Sequence, residues 1–339
     1  MTQRICYVHA GVGKTGSSAI QYALTIQRDY LAQRGFSYPD LSGDFRKVLA
    51  GEATGGNASA VLQALREGDG GDKQIVRLLS SFSDRPENLI LSCEGLSNRS
   101  PSQLEELVRS LRALGYESRC LVFFRPQADI MVSSFLQQIR TGRIRQVTLE
   151  QYVEEQMASG QMEGRWNWHA RAVKLAQAFG DKNLSVKWYP AVAGIGPHGV
   201  VTATFDWLGV PLPPGPVLAY SRNINPTPGR EAVKVLELLD SQGYGGKRFT
   251  DKLLLRAEKQ GMLGTKVRLE RALLDRVNAM MRDSNLKLRE SYIPDLDAHE
   301  ELDSRSYEQQ SEPLDTQTIE RLKEIAARIL RRMAARRQP

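Results

Sequence analysis

Residues 5–24, ICYVHAGVGKTGSSAIQYAL, decide the fold class of this 339-residue chain. The apolar run at the start is typical of a buried strand, whereas the apolar residues of the second half recur at helical spacing. Gly11, Gly13 and Gly16 lie between them, so the chain passes from a strand through a glycine-rich turn into a helix. This unit predicts an α/β protein with a P-loop-like parallel sheet flanked by helices.

The same alternation continues along the chain. Short, solidly apolar runs at 87–95, 118–126 and 183–190 predict further strands, and FSYP at 36–39 predicts another. Segments with helical spacing lie between them, such as 101–115, which opens with proline and ends on glycine. Strands that are apolar on both faces are typical of a parallel sheet covered by helices on both sides.

Beyond about Pro226 the apolar spacing is helical only, and we expect no further strand. The acidic segment 292–313 shows no periodicity and is predicted to be irregular. We therefore expect an α/β core over 1–240 and a helical C-terminal extension over 241–339, packed on the core.

Composition and cysteine usage indicate the cellular compartment and bear on metal binding. No apolar run approaches the about 20 residues that a membrane span needs, and the N-terminus has no secretory signal pattern. Cys6, Cys93 and Cys120 show no pairing pattern, and neither cysteine nor histidine shows metal-ligand spacing. We expect a cytoplasmic protein without a metal site.

The formal net charge of +7 favours anionic partners. Much of the excess lies in the last predicted helix, whose opposite side is apolar at Ile319, Leu322, Ile325, Ala326, Ile329, Leu330 and Met333. Its basic face is suited to peripheral contact with lipid headgroups. Docking of the apolar side on the protein's own core, or on a second subunit, is the alternative. The sequence indicates no oligomeric state.

The glycine-rich turn is shorter than the Walker phosphate loop, G-x-x-x-x-G-K-[ST]. Gly13, Lys14 and Thr15 match its end, but Val8 stands where the first glycine belongs. The turn can still hold one anionic group at the helix start, because successive amides and the helix dipole attract negative charge. Lys14 adds a full charge, and Thr15, Ser17 and Ser18 add hydroxyls. The alternative is a simple turn in which a serine caps the helix.

A second constellation follows the strand at 118–126. Arg125 stands at the end of this strand, and Ser133 lies eight residues on, about two turns into the next predicted helix. An arginine and a serine in this arrangement can converge on one phosphate, the first through a charged fork and the second through a hydroxyl.

Together these segments resemble the sulfotransferases that use 3′-phosphoadenosine 5′-phosphosulfate (PAPS). KTGSS, residues 14–18, is similar to the family's 5′-phosphosulfate loop, and Arg125 to Ser133 is similar to its R-x(7)-S segment for the 3′-phosphate. The longer patterns HAGVGKTGSSAIQ, FFRPQADIMVSSFLQQIRTG and WNWHARAVKLAQAFGDKNLSVKWY resemble the bacterial branch. The resemblance covers roughly residues 3–230.

The resemblance implies a donor, a product and a set of contacts. PAPS would be the sulfuryl donor, and adenosine 3′,5′-bisphosphate the product. The acceptor would be a hydroxyl or amine of a small molecule, a glycan or a lipid headgroup rather than nucleic acid. The residues implied to hold the donor are Gly13, Lys14, Thr15, Gly16, Ser17, Ser18, Arg125 and Ser133.

The sequence departs from the family at two points. It lacks both the histidine base and the late Arg-Lys-Gly signature of many animal cytosolic members. Glu94 ends a predicted strand where ligands bind in open α/β folds, so it is the candidate base, beside Lys14 as the second catalytic residue. A solvated turn residue is the alternative for Glu94. Arg222 could replace the missing arginine, or belong to a surface loop.

Two other functions remain open at this point. A nucleotide-dependent kinase would need a longer phosphate loop and a carboxylate for magnesium. Val8 argues against the loop, whereas Glu94 leaves the carboxylate open. A non-catalytic protein that binds a nucleotide or a glycan is the other possibility.

Overall fold

The computed structural model describes residues 3–50, 52, 54–67, 71–82, 85, 87–143, 147–193, 198–213, 227–242, 246–305, 307–308 and 313–335. Only the backbone is described at 161–162, 307–308 and 335.

The centre of the fold is a five-stranded parallel sheet in the order β2-β3-β1-β4-β5. It confirms the predicted α/β class with helices on the sheet and helices at the C-terminus. The five strands are β1 (Arg4–Gly11), β2 (Phe36–Ser37), β3 (Asn88–Glu94), β4 (Tyr116–Phe124) and β5 (Leu184–Trp188).

Sixteen α-helices lie within the described residues. They are α1 (Ser17–Ile26), α2 (Arg28–Ala32), α3 (Phe45–Leu49), α4 (Ser59–Glu67), α5 (Gly71–Leu79), α6 (Pro101–Ala113), α7 (Gln127–Thr141), α8 (Leu149–Ala158), α9 (Gln161–Gly164), α10 (Trp168–Phe179), α11 (Tyr189–Ala193), α12 (Gly199–Leu208), α13 (Arg230–Ser241), α14 (Lys247–Lys259), α15 (Arg271–Tyr292) and α16 (Thr316–Ala335). Short 3-10 helices occupy Ser80–Phe82, Leu96–Asn98 and Asp181–Asn183.

The prediction that strands stop near Pro226 is wrong. Two further strands, β6 (Leu269–Glu270) and β7 (Tyr307–Glu308), pair in parallel as a separate two-stranded sheet. Each strand has two residues, which is too short to show the alternation that identifies a strand in a sequence. The second of them falls within the segment predicted to be irregular.

The chain divides into two compact units, each with its own core. The first comprises Met1–Arg125, Glu163–Arg222 and Met281–Leu302, and the second comprises Pro126–Met162, Asn223–Met280 and Asp303–Pro339. The sheet belongs to the first unit. The predicted division into a core over 1–240 and an extension over 241–339 stays a prediction.

The two faces of the sheet in the first unit carry different helices. Tyr7, Ile90 and Phe123 pack with α1 and α12 on one face. Side chains alternate along a strand, so Phe124 points to the opposite face, where its ring stacks on Trp168 of α10 at 5.1 Å. Helices α4, α6 and α10 cover this second face. We call the two sides the α1 face and the α10 face.

The second unit is a helical cluster. The apolar side of α16 supplies Leu322, Ile325, Ala326 and Ile329 to a core shared with α13 and α14. The amphipathic pattern of the last helix therefore reflects packing within this unit. Contact of its basic face with lipid stays a prediction. No helix within the described residues is long and apolar enough to cross a membrane.

The segment before α4 is tied to the carboxyl end of β3. Asn57, which is buried, accepts a hydrogen bond from the Ser92 amide at 2.7 Å and donates to the Ile90 carbonyl at 3.0 Å. The Glu94 amide donates to the Gly55 carbonyl at 2.9 Å. Gly56 has a φ of +96°, and a Cβ there would lie 2.1 Å from the Ser92 carbonyl oxygen. Only glycine fits this approach.

We therefore predict that Gly56→Ala lowers the free energy of unfolding by about 2–5 kcal/mol, since it adds a backbone clash to a left-handed conformation. Gly35→Ala is the matched control, because Gly35 has a φ of +77° with open space around its Cβ position. It should cost only about 1–2 kcal/mol. Denaturant unfolding monitors both variants, and equal losses would contradict the role of the clash.

Candidate active site

The glycine-rich turn joins β1 to α1 through two residues in the left-handed region. Lys14 has a φ of 68°, and Gly16, the N-cap of α1, has a φ of 86°. No side chain caps the helix. The alternative of a capping serine is therefore wrong. The Ala19 amide donates to the Gly16 carbonyl at 3.0 Å, and the amides that precede it at the start of α1 have no carbonyl acceptor within an α-helix. Such an arrangement attracts an anion.

The glycines of the turn have different roles. A Cβ at Gly11 would lie 2.8 Å from Ser17 Oγ and 3.3 Å from the Glu94 Cα. One at Gly16 would lie 2.9 Å from Val200 Cγ2, in a backbone conformation that already favours glycine. Both positions are packed closely. Gly13 has nothing within 4 Å of its Cβ position, so it borders open space where a ligand can approach the backbone.

The hydroxyls of the turn also differ. Thr15 is fully buried, and its Oγ1 donates to the Val12 carbonyl at 2.7 Å, which closes the turn. Ser17 is 2% exposed, and its Oγ has no hydrogen-bond partner within the described part of the chain. A buried hydroxyl without a partner is costly. It is a ready hydrogen-bond group for a ligand bound in the turn. Ser18 is half-buried.

Arg125 meets the turn from the neighbouring strand. It follows β4 directly, and its Nη1 donates to the Lys14 carbonyl at 3.3 Å. The guanidinium lies 5.2 Å from the ring centroid of Tyr189, and Trp168 Nε1 donates to the Arg125 carbonyl at 2.8 Å. Contacts of both the side chain and the backbone of Arg125 therefore hold its guanidinium beside the turn.

Ser133 and Arg222 are the other two residues that the sequence predicts for the donor site. Ser133 lies on α7, the seventh residue of that helix, and α7 belongs to the second unit. Its convergence with Arg125 on one phosphate stays a prediction. Arg222 lies outside the described residues.

Glu94 lies directly beside the end of β1, since it pairs in register with Gly11. The Gly95 amide donates to the Gly11 carbonyl at 3.1 Å, and the Ser97 hydroxyl donates to the same oxygen at 3.3 Å. Burial raises the pKa of the Glu94 carboxyl above its ordinary value, and the charge of Lys14 opposes the rise. A carboxylate with a raised pKa next to a lysine and an anion-attracting turn is typical of a catalytic site.

His9 lies beneath the turn and is not available as a base. It is 1% exposed, its Nδ1 is 2.9 Å from Ser92 Oγ, and burial lowers its pKa to about 4. An uncharged imidazole enclosed in this way cannot reach an acceptor. Its Nε2 and the nearby Gln21 Nε2 are buried without hydrogen-bond partners among the described residues.

Sequence reasoning missed Tyr189 and Asn57. Tyr189 follows the end of β5 and supplies the ring beside Arg125. The rule that located Glu94 and Arg125, the residue at the carboxyl end of a strand, would have found it. Asn57 has no such signal, because its hydrogen bonds to β3 depend on long-range contacts. Within the described residues, no group of three or more His, Cys, Asp or Glu side chains could hold a metal ion.

Comparison with protein-family models gave no match, and comparison with curated proteins gave none either. Among solved structures, the chain is similar to the sulfotransferase from Alicyclobacillus acidocaldarius, with a TM-score of 0.44 and 14% identity over 85% of this chain and 95% of that one. It is also similar to the sulfotransferase domain from the curacin biosynthetic pathway, with a TM-score of 0.34 and 12% identity over 62% of this chain and 75% of that one. These are structural matches to bacterial sulfotransferases at low sequence identity.

The two buried hydroxyls of the turn yield opposite predictions. Thr15→Val should lower the free energy of unfolding by about 1–3 kcal/mol, because the Val12 carbonyl loses its donor. Ser17→Ala should leave this free energy unchanged or raise it, because a buried hydroxyl without a partner is removed. Thermal unfolding of the two variants without ligand measures the difference, and a large loss in Ser17→Ala would show that its hydroxyl already has a structural partner.

Proposed function

We propose that this chain is a PAPS-dependent sulfotransferase that transfers a sulfuryl group to a hydroxyl or amine acceptor. One observation carries the proposal. Glu94, a half-buried carboxylate, and Lys14 lie within electrostatic range of each other at the point where β1 and β3 end beside an uncapped helix N-terminus. This places a candidate base next to a candidate anion site, which an acyl- or group-transfer reaction needs.

The residues of the turn fit the donor. The unpartnered Ser17 hydroxyl and the open space at Gly13 offer a hydrogen bond and a close backbone approach. Lys14 and Arg125 offer the positive charge that a nucleotide with two phosphate groups requires. When bound there, PAPS supplies a sulfuryl group attached to a phosphate leaving group. The proposed holding residues are those that the motif implies, Gly13 to Ser18 with Arg125, and the proposal also includes Ser133 and Arg222.

In this proposal, Glu94, Lys14 and Arg125 each have a chemical role in the transfer. The Glu94 carboxylate accepts the proton that an acceptor hydroxyl or amine loses as it attacks. The Lys14 ammonium and the amides at the start of α1 stabilise negative charge in the turn. Arg125 anchors the donor by a charged fork and so fixes its orientation relative to Glu94. The burial that raises the pKa of Glu94 also makes it a stronger base.

The proposed function predicts which nucleotide the protein binds. Adenosine 3′,5′-bisphosphate should bind at least about tenfold more tightly than AMP, because the second phosphate adds a charge-assisted contact to Arg125. Arg125→Ala should remove this preference. Arg119→Ala is the matched control, since Arg119 is an exposed arginine on β4, the strand that Arg125 follows, and it should leave the preference intact.

Isothermal calorimetry with both nucleotides, and with ATP and magnesium, decides the assignment. Equal affinity for AMP and adenosine 3′,5′-bisphosphate would refute the PAPS site. Magnesium-dependent binding of ATP in preference to both would favour a kinase.

The second prediction concerns the base. Glu94→Gln keeps the shape of the side chain but cannot accept a proton, so turnover should fall roughly a hundred- to ten-thousandfold. Nucleotide binding should be unchanged. In the unaltered protein, activity should rise with pH through a pKa above the ordinary glutamate value, because only the ionised carboxylate is a base and burial favours the neutral form.

Turnover is measured with labelled PAPS on an acceptor found by screening hydroxyl and amine compounds. Glu117→Gln, at the other end of the sheet, is the control and should retain full activity. Full activity of Glu94→Gln on a hydroxyl acceptor would exclude the carboxylate as the base.

A further inference from the structure

Five cationic side chains lie close together on the α10 face of the sheet. They come from α4, from the residue after the 3-10 helix Leu96–Asn98, from the approach to α10 and from α10 itself: Arg66, Arg99, Arg165, Arg171 and Lys174. Arg99 is within electrostatic range of Arg66, Lys174 is within range of Arg171 and Arg99, and Arg171 is within range of Arg165. All of them belong to the first unit.

Among the described residues, no carboxylate forms an ion pair that compensates this charge. Arg171 is 6% exposed, donates to the Arg165 carbonyl and lies 4.9 Å from the ring centroid of Trp168. The Nε of Arg99 is buried and has no hydrogen-bond partner there.

Such an arrangement is unfavourable without a counter-charge. Burial together with the repulsion from Arg171 and Arg99 lowers the pKa of Lys174 to about 8. Burial and the repulsion from Arg165 lower the pKa of Arg171 to about 10. Arg171 is the buried member of the cluster, Arg99 and Lys174 are half-buried, and Arg66 and Arg165 are exposed. Proteins seldom bury a cation unless it is paired, and a bound anion supplies the missing counter-charge for Arg171.

The position of the cluster distinguishes it from the donor site. Cys93 precedes Glu94 and points to the α10 face, since Ile90 and Ser92 alternate with it toward the α1 face. The Cys93 thiol is within electrostatic range of Glu94, Arg66 and Arg99. The cluster therefore lies beside the strand end that presents the candidate base. Lys14 and Arg125 belong instead to the turn on the α1 side.

We propose that Arg66, Arg99, Arg171 and Lys174 bind an anionic group of the acceptor, a carboxylate, sulfate or phosphate. The acceptor is then a molecule that carries a fixed negative charge as well as the hydroxyl or amine to be modified, such as an acidic or already sulfated sugar. The identification of the ligand as the acceptor rests on the proposed sulfotransferase function. The anion site itself does not depend on that function.

The experiment measures sulfate binding to protein saturated with adenosine 3′,5′-bisphosphate, so that the turn is occupied. Calorimetry should detect sulfate in the unaltered protein. Affinity should fall at least tenfold in the double variant Arg99→Gln/Lys174→Gln. Arg112→Gln/Lys182→Gln removes two exposed cations from neighbouring parts of the same face and should leave sulfate affinity unchanged.

A second readout separates ligand binding from a structural role. Because the clustered cations repel one another, the Arg99→Gln/Lys174→Gln variant should melt at an equal or higher temperature without anions. It should also gain less from added sulfate than the unaltered protein does. A lower melting temperature together with unchanged sulfate affinity would mean that the side chains only support the fold, and would overturn the proposal.

The remaining outcomes distinguish this proposal from the proposed function. If the protein binds no adenosine 3′,5′-bisphosphate, the donor assignment fails. Sulfate binding is then measured in Lys14→Ala/Ser17→Ala, which removes sulfate binding in the turn. If Arg99→Gln/Lys174→Gln does not weaken sulfate binding in this background, the anion site is overturned. If Arg99→Gln/Lys174→Gln binds adenosine 3′,5′-bisphosphate more weakly, and the unaltered protein saturated with this nucleotide does not bind sulfate, the cluster holds a donor phosphate. This result would overturn the acceptor proposal. Inhibition of turnover by sulfate should be competitive with the acceptor, and competition with PAPS alone would contradict it.

Discussion

The close approach of β1 and β3 at their carboxyl ends is the constraint on which the site depends. Gly11 pairs with Glu94, and the space beside Gly11 is already taken by Ser17 Oγ and by the backbone of β3. A side chain at Gly11 would force the Ser17 hydroxyl to move and would crowd the backbone of β3 at 3.3 Å. The absence of a Cβ at this position therefore allows the close approach of the turn to the end of β3.

Polar groups beneath the turn hold this arrangement in place. Asn57 and Gly55 bind the backbone of β3 at the residues that lead into Glu94, and His9 pairs with Ser92 on the adjacent strand. Thr15 closes the turn above them. A buried hydrogen-bond network of this kind limits how the strand ends can move, so the turn and Glu94 are held in position before a ligand arrives.

The same region also contains features that lower stability. Ser17 Oγ is buried and has no hydrogen-bond partner in the part of the chain that the structure describes. Lys14 has a left-handed backbone, and like charges lie together at Arg99 and Lys174. Natural proteins tolerate such local costs mainly where function requires them. Glu94 lies within electrostatic range of Lys14 in the turn, and the neighbouring Cys93 lies within range of Arg66 and Arg99. In the proposed function, these two electropositive regions would supply counter-charge to an anionic donor and to an anionic acceptor.

The sequence alone determined the fold class and the chemistry of the turn. Strand and helix periodicity are local, and so are the glycines of the turn, Lys14, and the strand-end positions of Glu94 and Arg125.

The tertiary structure decided what depends on residues far apart in the chain. The pairing of Gly11 with Glu94, the hydrogen bonds of Asn57 and the two-residue strands β6 and β7 have no local pattern. The cation cluster is the clearest case: Arg66, Arg99 and Lys174 are isolated in the sequence, and only packing on one face of the sheet brings them within electrostatic range of one another. Electrostatic repulsion and desolvation act through space, and a linear pattern does not record them.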